Sequence, residues 1–123
     1  MSNLHLPADV EAESALLGAL LLSKGRILPQ VEALISSKDF YRPLHADVYD
    51  AIMQLRQKGD AIDRITVQHW LTQAGRCKGL QPEDLKTYIR SLAETTVYAS
   101  HGVAYAKRVA EQGMRRRIIE TAL

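Results

Sequence analysis

Four histidines, one cysteine and a run of three arginines are the residues of this 123-residue chain with the most chemistry to offer. His5, His45, His69 and His101 lie far apart, and none has the i+4 partner that a helical metal site uses. Cys77, the lone cysteine, excludes an internal disulfide and any Cys-based zinc cluster. It falls in a charged loop, and a Cys77–His69 pair would lack the acidic third group that orients a nucleophile's base. His45 is therefore expected to cap or pack, and His69 to lie on a solvated face beside Trp70. The nearest imitation of a phosphate loop, Gly18-Ala-Leu-Leu-Leu-Ser23-Lys24-Gly25, has Ser where the second glycine is needed and Gly where Ser or Thr is needed. It also forms the apolar heart of a helix, whose amides are already bonded. No catalytic residue, metal ligand or cofactor is expected in this chain.

Nucleic-acid contact has two candidate elements. The segment Asp63-Arg64-Ile65-Thr66-Val67-Gln68-His69-Trp70 could pass for a recognition helix, but only Arg64 is basic, and Asp60 and Asp63 flank it. Core plus solvated surface is the better reading. Arg115-Arg116-Arg117 fans around a helix at about 100° per residue, so it makes no single stripe. Arg115 follows Glu111 by four residues, a favourable pairing order. A solvated or interface face is the expectation there. The net charge is only +2. Residues 97–123 carry 5 Lys/Arg against 2 Asp/Glu, so the basic excess is C-terminal.

Gly102, Ala106, Val109 and Gly113 recur at i, i+4, i+7 and i+11 and give the last helix one narrow face with little side chain. Glycine inside a helix costs about 1 kcal/mol against alanine, so two of them point to close approach of another helix. A hairpin arm or a neighbouring subunit is the expected filler, with packing on the chain's own body as the other account.

The elements that must position these residues are helical throughout. Almost every stretch between breakers reads at helical period, and none alternates at period two. Asp9 caps a first helix with Glu11 and Glu13 at its positive end, and Ala15 to Leu21 make it apolar around most of its circumference. Gly25 stops it. A short second helix carries Leu28, Val31, Leu34 and Ile35, and Ser36 to Asp39 form a turn. Pro43 opens a third helix with Leu44, Val48, Ile52 and Leu55 on one face, closed by Gly59. Asp63 caps a fourth, with Val67, Trp70, Leu71 and Ala74 inward and Gly75 at its end. Pro82 opens a fifth, whose core face is Leu85, Tyr88, Ile89 and Leu92. A sixth runs from about Thr96 to Leu123 with no stop signal, which reads as a pattern cut rather than concluded. The expected architecture is all-α: an arm at 1–8, a body of about five helices at 9–95, and at 96–123 the first arm of a truncated hairpin.

The composition, 46% hydrophobic and 24% charged, is that of an ordinary globular domain. The longest apolar run, Ala15 to Leu22, is 8 residues even counting Gly18. A membrane span takes about 20, and the N-terminus has no basic n-region. A cytoplasmic domain is expected.

Set in order, these segments resemble the N-terminal domain of the DnaB-type replicative DNA helicases. The resemblance begins at Glu11-Ala12-Glu13 and Leu17-Gly18 and continues through Asp39-Phe40-Tyr41-Arg42, His45, Val48-Tyr49 and Ala51-Ile52. Asp63, Thr66-Val67 and Leu71 carry it on, followed by Tyr88-Ile89 and Leu92-Ala93. Tyr105-Ala106, Val109, Glu111, Arg116-Arg117 and Ile119 complete it. No single tripeptide is specific; the ordered set is. The resemblance implies a helical body followed by a helical hairpin. Hairpins of neighbouring subunits pair into a collar above a ring of six ATPase domains, which would bind ATP and Mg²⁺ and encircle DNA. It implies as partners other helicase subunits, the helicase-binding domain of primase and a helicase loader. The primase-contact positions it carries over are Glu11, Tyr88 and Ile119. Each also has a plainer role: a helix-dipole acid, a core tyrosine and hairpin packing. Two departures stand out: His101-Gly102 replaces the usual Asn-led helix start, and the loop at 76–81 lacks the family's glycine pair. The alternative to a collar domain is a stand-alone nucleic-acid-binding module that uses the basic C-terminal helix.

Overall fold

The computed structural model describes residues 6–96 and 98–122, and every regular element among them is helical. His5 and Leu123 lie outside the described residues, as does most of the expected N-terminal arm. Helix α1 (Val10–Leu22) begins where the Asp9 carboxylate accepts the Ala12 N–H at 3.0 Å. Its apolar circumference places it at the centre, with α3 (Pro43–Lys58), α5 (Pro82–Thr95) and α6 (Gly102–Ala122) packed around it. Leu16, Leu17 and Leu20 are wholly buried. Gly18 lets α5 come close: a β-carbon there would land on the Leu92 carbonyl and the Thr96 hydroxyl. Lys24 and Gly25, both at positive φ, turn the chain into α2 (Leu28–Glu32). That helix is shorter than the sequence pattern suggests. Leu34 therefore falls beyond its end and is exposed, while Ile35 still reaches the core.

The turn before α3 is a 3-10 turn, Ser37–Asp39, in which the Asp39 carboxylate accepts the Ser36 N–H at 3.0 Å. Pro43 occupies the first turn of α3, and Gly59, at φ 75°, ends it in the left-handed conformation that glycine adopts without strain. Helix α4 (Arg64–Gln73) is capped by Asp63, whose carboxylate accepts the Ile65 and Thr66 N–H groups, both at 2.9 Å. The Thr66 hydroxyl accepts the Asp63 N–H in return. Val67 and Leu71 are buried and Trp70 half-buried, whereas Ala74, one residue past the helix, is exposed. In α5, Leu85, Ile89 and Leu92 face the core and Tyr88 is half-buried.

The start of the last helix is a correction. It begins at Gly102, after an extended residue at Thr96 and a 3-10 turn at Ala99–His101, rather than near Thr96. Thr96 turns its hydroxyl back onto the Leu92 carbonyl at 2.9 Å, which closes α5 instead of opening α6.

Candidate interaction surfaces

The small-residue face of α6 is occupied by the chain itself. Gly102, Ala106, Val109 and Gly113 are all buried. A β-carbon at Gly102 would meet Ile27 and Ala19, and one at Gly113 would meet Asp39. The expectation that this face stands open for a hairpin arm or another subunit is therefore corrected: the glycines admit α1, the chain before α2, and the 3-10 turn.

Arg116 corrects a second expectation. It continues the same buried face three residues after Gly113 and is 6% exposed, neither solvated nor fanned outward. Its guanidinium donates to the Pro7 carbonyl at 2.7 Å and to the Asp39 carbonyl, and lies 5.5 Å from the Tyr41 ring centroid. Arg117 donates to the Asp39 carboxylate at 2.7 Å. Arg115, by contrast, pairs with Glu111 at 2.9 Å on the surface as its spacing foretold. Toward its end α6 exposes the large apolar side chains instead. Met114 and Ile118, one turn apart, line a hollow with Arg117, Thr121 and Ala122. Ile119 beside them is half-buried.

A second network lies inside the body. Glu13 is buried, and its carboxylate accepts the Tyr41 N–H at 2.6 Å, the Arg42 N–H at 3.4 Å and the His45 Nδ1–H at 2.8 Å. On the other side of the ring, His45 Nε2 pairs with the Tyr88 hydroxyl and lies 3.5 Å from the Ser14 hydroxyl. The Tyr88 ring stacks on the imidazole at 5.9 Å, with the Arg42 guanidinium 6.0 Å from the Tyr88 centroid. Glu13 is thus more than a dipole acid. With His45 it ties α1, α3 and α5 together, and each buried polar atom of the carboxylate and imidazole has a partner.

The remaining candidates separate. Glu11 is exposed on the first turn of α1. Tyr88 turns its hydroxyl inward, so the three carried-over positions sit on three helices, α1, α5 and α6. His69 is exposed and lines a groove with Trp70 and Ile65, while Cys77 lines a different one near Arg42 and Leu80. Burial, reinforced by the Asp47 carboxylate, pushes the Cys77 thiol up to about 11, so it stays protonated near neutral pH. Its Sγ–H faces Asp47 at 3.6 Å. Arg76 donates to Asp47 at 2.7 Å and to Asp50 at 3.1 Å, tying the loop after α4 to α3. Arg108 donates to Asp9 at 2.8 Å, and this bond, followed by the Ala12 N–H, holds the Asp9 carboxyl below its ordinary value. Sequence spacing could not reveal the partners of Glu13 and Arg116, which lie tens of residues away. A signal existed nonetheless, since both charges fall in phase with buried apolar residues.

Such a fold defines an all-helical domain that spends its buried charges on holding helices together and exposes two large apolar side chains, Met114 and Ile118, near the end of its long last helix. Residues 5–111 match the family described as the DnaB-like helicase N terminal domain, and the chain belongs to that family. It is 39% identical over 114 residues to the replicative DNA helicase DnaB of Mycobacterium leprae, covering 93% of this chain and 18% of that protein. It is 38% identical over 114 residues to that of Leifsonia xyli, covering 93% of this chain and 24% of the relative. The crystal structure of the N-terminal domain of DnaB helicase from Mycobacterium tuberculosis matches it with a TM-score of 0.86 at 34% identity, over 96% of this chain and 81% of that one. The chain thus spans a quarter or less of the length of these full relatives.

Proposed function

We propose that this domain is the collar of a hexameric replicative DNA helicase, joining subunits and recruiting primase to the ring. The observation that carries the assembly half is the Met114–Ile118 face. A helix already buried on its inner side exposes Met114 and Ile118 by 58% and 63% on its outer one. Leaving two such side chains in water forgoes about 1.5–3 kcal/mol each, which a returning hairpin arm would recover. That arm and its pairing with a neighbouring subunit make the collar; ATP, Mg²⁺ and DNA belong to the ring of ATPase domains beneath it. Gly102, Ala106, Val109 and Gly113 then serve assembly indirectly, by seating α6 on the body.

Primase recruitment rests on family membership and on Glu11, Tyr88 and Ile119, with a helicase loader as a further user of the same domain. The test is a pull-down with the helicase-binding domain of the cognate primase. Replacing Ile119 by Glu should weaken capture while leaving the thermal melt nearly unchanged. A collapsed melt would make Ile119 a packing residue and remove it from the docking surface. Titration of the chain with Mg-ATP should give no saturable heat; micromolar binding would overturn the collar reading.

The alternative, direct DNA binding by the basic helix, has less to draw on. Arg116 is buried, and Arg108, Arg115 and Arg117 each pair with a carboxylate.

A further inference from the structure

Where α1, the end of α5 and the start of α6 meet, two adjoining hollows of about 390 and 360 Å³ form one trough. They share Glu11, Ala15 and Tyr105. Tyr98, 57% exposed, stands on the side away from Arg108. The His101 ring links the two tyrosines, 4.8 Å from Tyr98 and 6.1 Å from Tyr105.

The polar groups of this trough are biased toward accepting. The Thr95 hydroxyl donates to the Ser91 carbonyl at 2.7 Å and the Thr96 hydroxyl to the Leu92 carbonyl at 2.9 Å, while Ser14, which donates to the Val10 carbonyl at 3.1 Å, also faces His45 Nε2 at 3.5 Å. A hydroxyl has one proton, and with it spent on the helix backbone only lone pairs remain for a ligand. Glu11 adds a carboxylate that has no ion pair among the described residues, unlike Asp9, which Arg108 engages. Among the described lining residues the one Lys or Arg is Arg108, held by Asp9 at 2.8 Å and Glu111 at 3.4 Å. Tyr98 and Tyr105 keep a phenol O–H each, but the unpaired carboxylate and the spent threonine hydroxyls favour a cation rich in donors and flat enough to lie against the tyrosine faces. A guanidinium meets both conditions, whereas an ammonium lacks the planar stacking surface.

We propose that this trough is a receptor for an arginine side chain presented by a partner protein. The guanidinium lies against Tyr98 and Tyr105 and donates to Glu11 and the threonine oxygens. The inference shares Glu11 with the recruitment reading above but does not depend on it, and its test uses no primase.

The experiment titrates the ¹⁵N-labelled 123-residue chain with N-acetyl-arginine methylamide and follows amide shifts. The matching lysine compound and the neutral isostere citrulline run in parallel at equal ionic strength. Saturable shifts at Glu11, Thr96, Tyr98 and Tyr105, strongest for arginine, are the expected result. Glu11→Gln should weaken arginine binding about threefold, the scale of an exposed ion pair. Tyr98→Ala, at an exposed position, should weaken arginine more than lysine. Absence of saturable shifts in the trough, or equal binding of citrulline, would overturn the proposal. So would binding unchanged in both variants.

Discussion

Along the side of α6 that faces the body stand Gly102, Ala106, Val109, Gly113 and Arg116, all buried; near its end, Met114 and Ile118 point away from them into solvent. The two sides have opposite compositions for opposite reasons. Small residues shorten the distance between helix axes, and the space they leave is filled by backbone and side chains of the same chain. Large apolar residues reach outward and gain only if something arrives to cover them. A stripe of glycine and alanine thus marks a contact already made, and the apolar pair marks the surface on which the proposed hairpin contact would form. Arg116 belongs to the first side, even though charge alone would have put it on the surface.

The sharpest way to break that comparison is to truncate neighbouring arginines. Arg116→Ala should lower stability by about 2–3 kcal/mol, because the Pro7 and Asp39 carbonyls lose a charged donor in a buried setting. Arg115→Ala should change it by less than about 0.5 kcal/mol, since its Glu111 partner is half in water. Urea unfolding of the two variants reads the difference. Equal losses would mean that position on the helix, rather than side, governs the cost.

Much of this fold was legible because its punctuation is local. Asp9, Pro43, Gly59, Asp63, Gly75 and Pro82 mark helix ends through bonds or torsions within a few residues, and the structure places the boundaries there. The start of α6 is not legible in the sequence, because nothing local distinguishes a threonine that ends one helix from one that begins the next. The partners of the buried charges are illegible for a different reason: a hydrogen bond or ion pair across the fold has no sequence spacing. Even so, Arg116 falls three residues after Gly113, and Glu13 lies three and four before Leu16 and Leu17. A charge in phase with a core stripe is a charge with a partner.

A graded test of the inner side comes from its glycines. A β-carbon at Gly113 would approach Asp39 Cα to 3.0 Å, where backbone must move, and would displace the carboxylate that holds Arg117 and the Ser36 N–H. Gly113→Ala should cost about 1–2 kcal/mol even after the gain in helix propensity. At Gly102 the nearest obstacle is the δ-methyl at the flexible end of Ile27. Gly102→Ala should therefore cost less than about 1 kcal/mol. Thermal melts that rank the two in reverse would place the tight contact elsewhere.

Asp9 joins the start of α1 to α6 through Arg108, a rim contact between the two sides. Asp9→Ala should cost about 1 kcal/mol, the usual worth of an N-cap. Its folded-state pKa is lowered, so its ionised form adds stability above the unfolded value, and that contribution disappears as pH falls through the folded one. Asp9→Asn keeps a capping oxygen but no charge. Its deficit against the parent at neutral pH should shrink toward zero below about pH 4. A deficit independent of pH would show that Arg108 does not act through the Asp9 charge.

The smallest stability effect should come from the outer side. Ile118→Glu places a charge where the isoleucine is already 63% exposed, so little burial is lost. The new carboxylate falls one residue after Arg117, which is already engaged by Asp39. The unfolding midpoint should move by no more than about 0.5 kcal/mol equivalent. Association is where the change should register. Sedimentation equilibrium on a chain extended by about 35 residues, enough for a returning helix at ~1.5 Å per residue, should show self-association that Ile118→Glu abolishes. A large loss of stability in the short chain would mean that Ile118 is packed against the body, and the outer side would then be no free surface. Unchanged association of the extended chain would move the subunit contact off this face and leave the inner side as the only part of the contrast still standing.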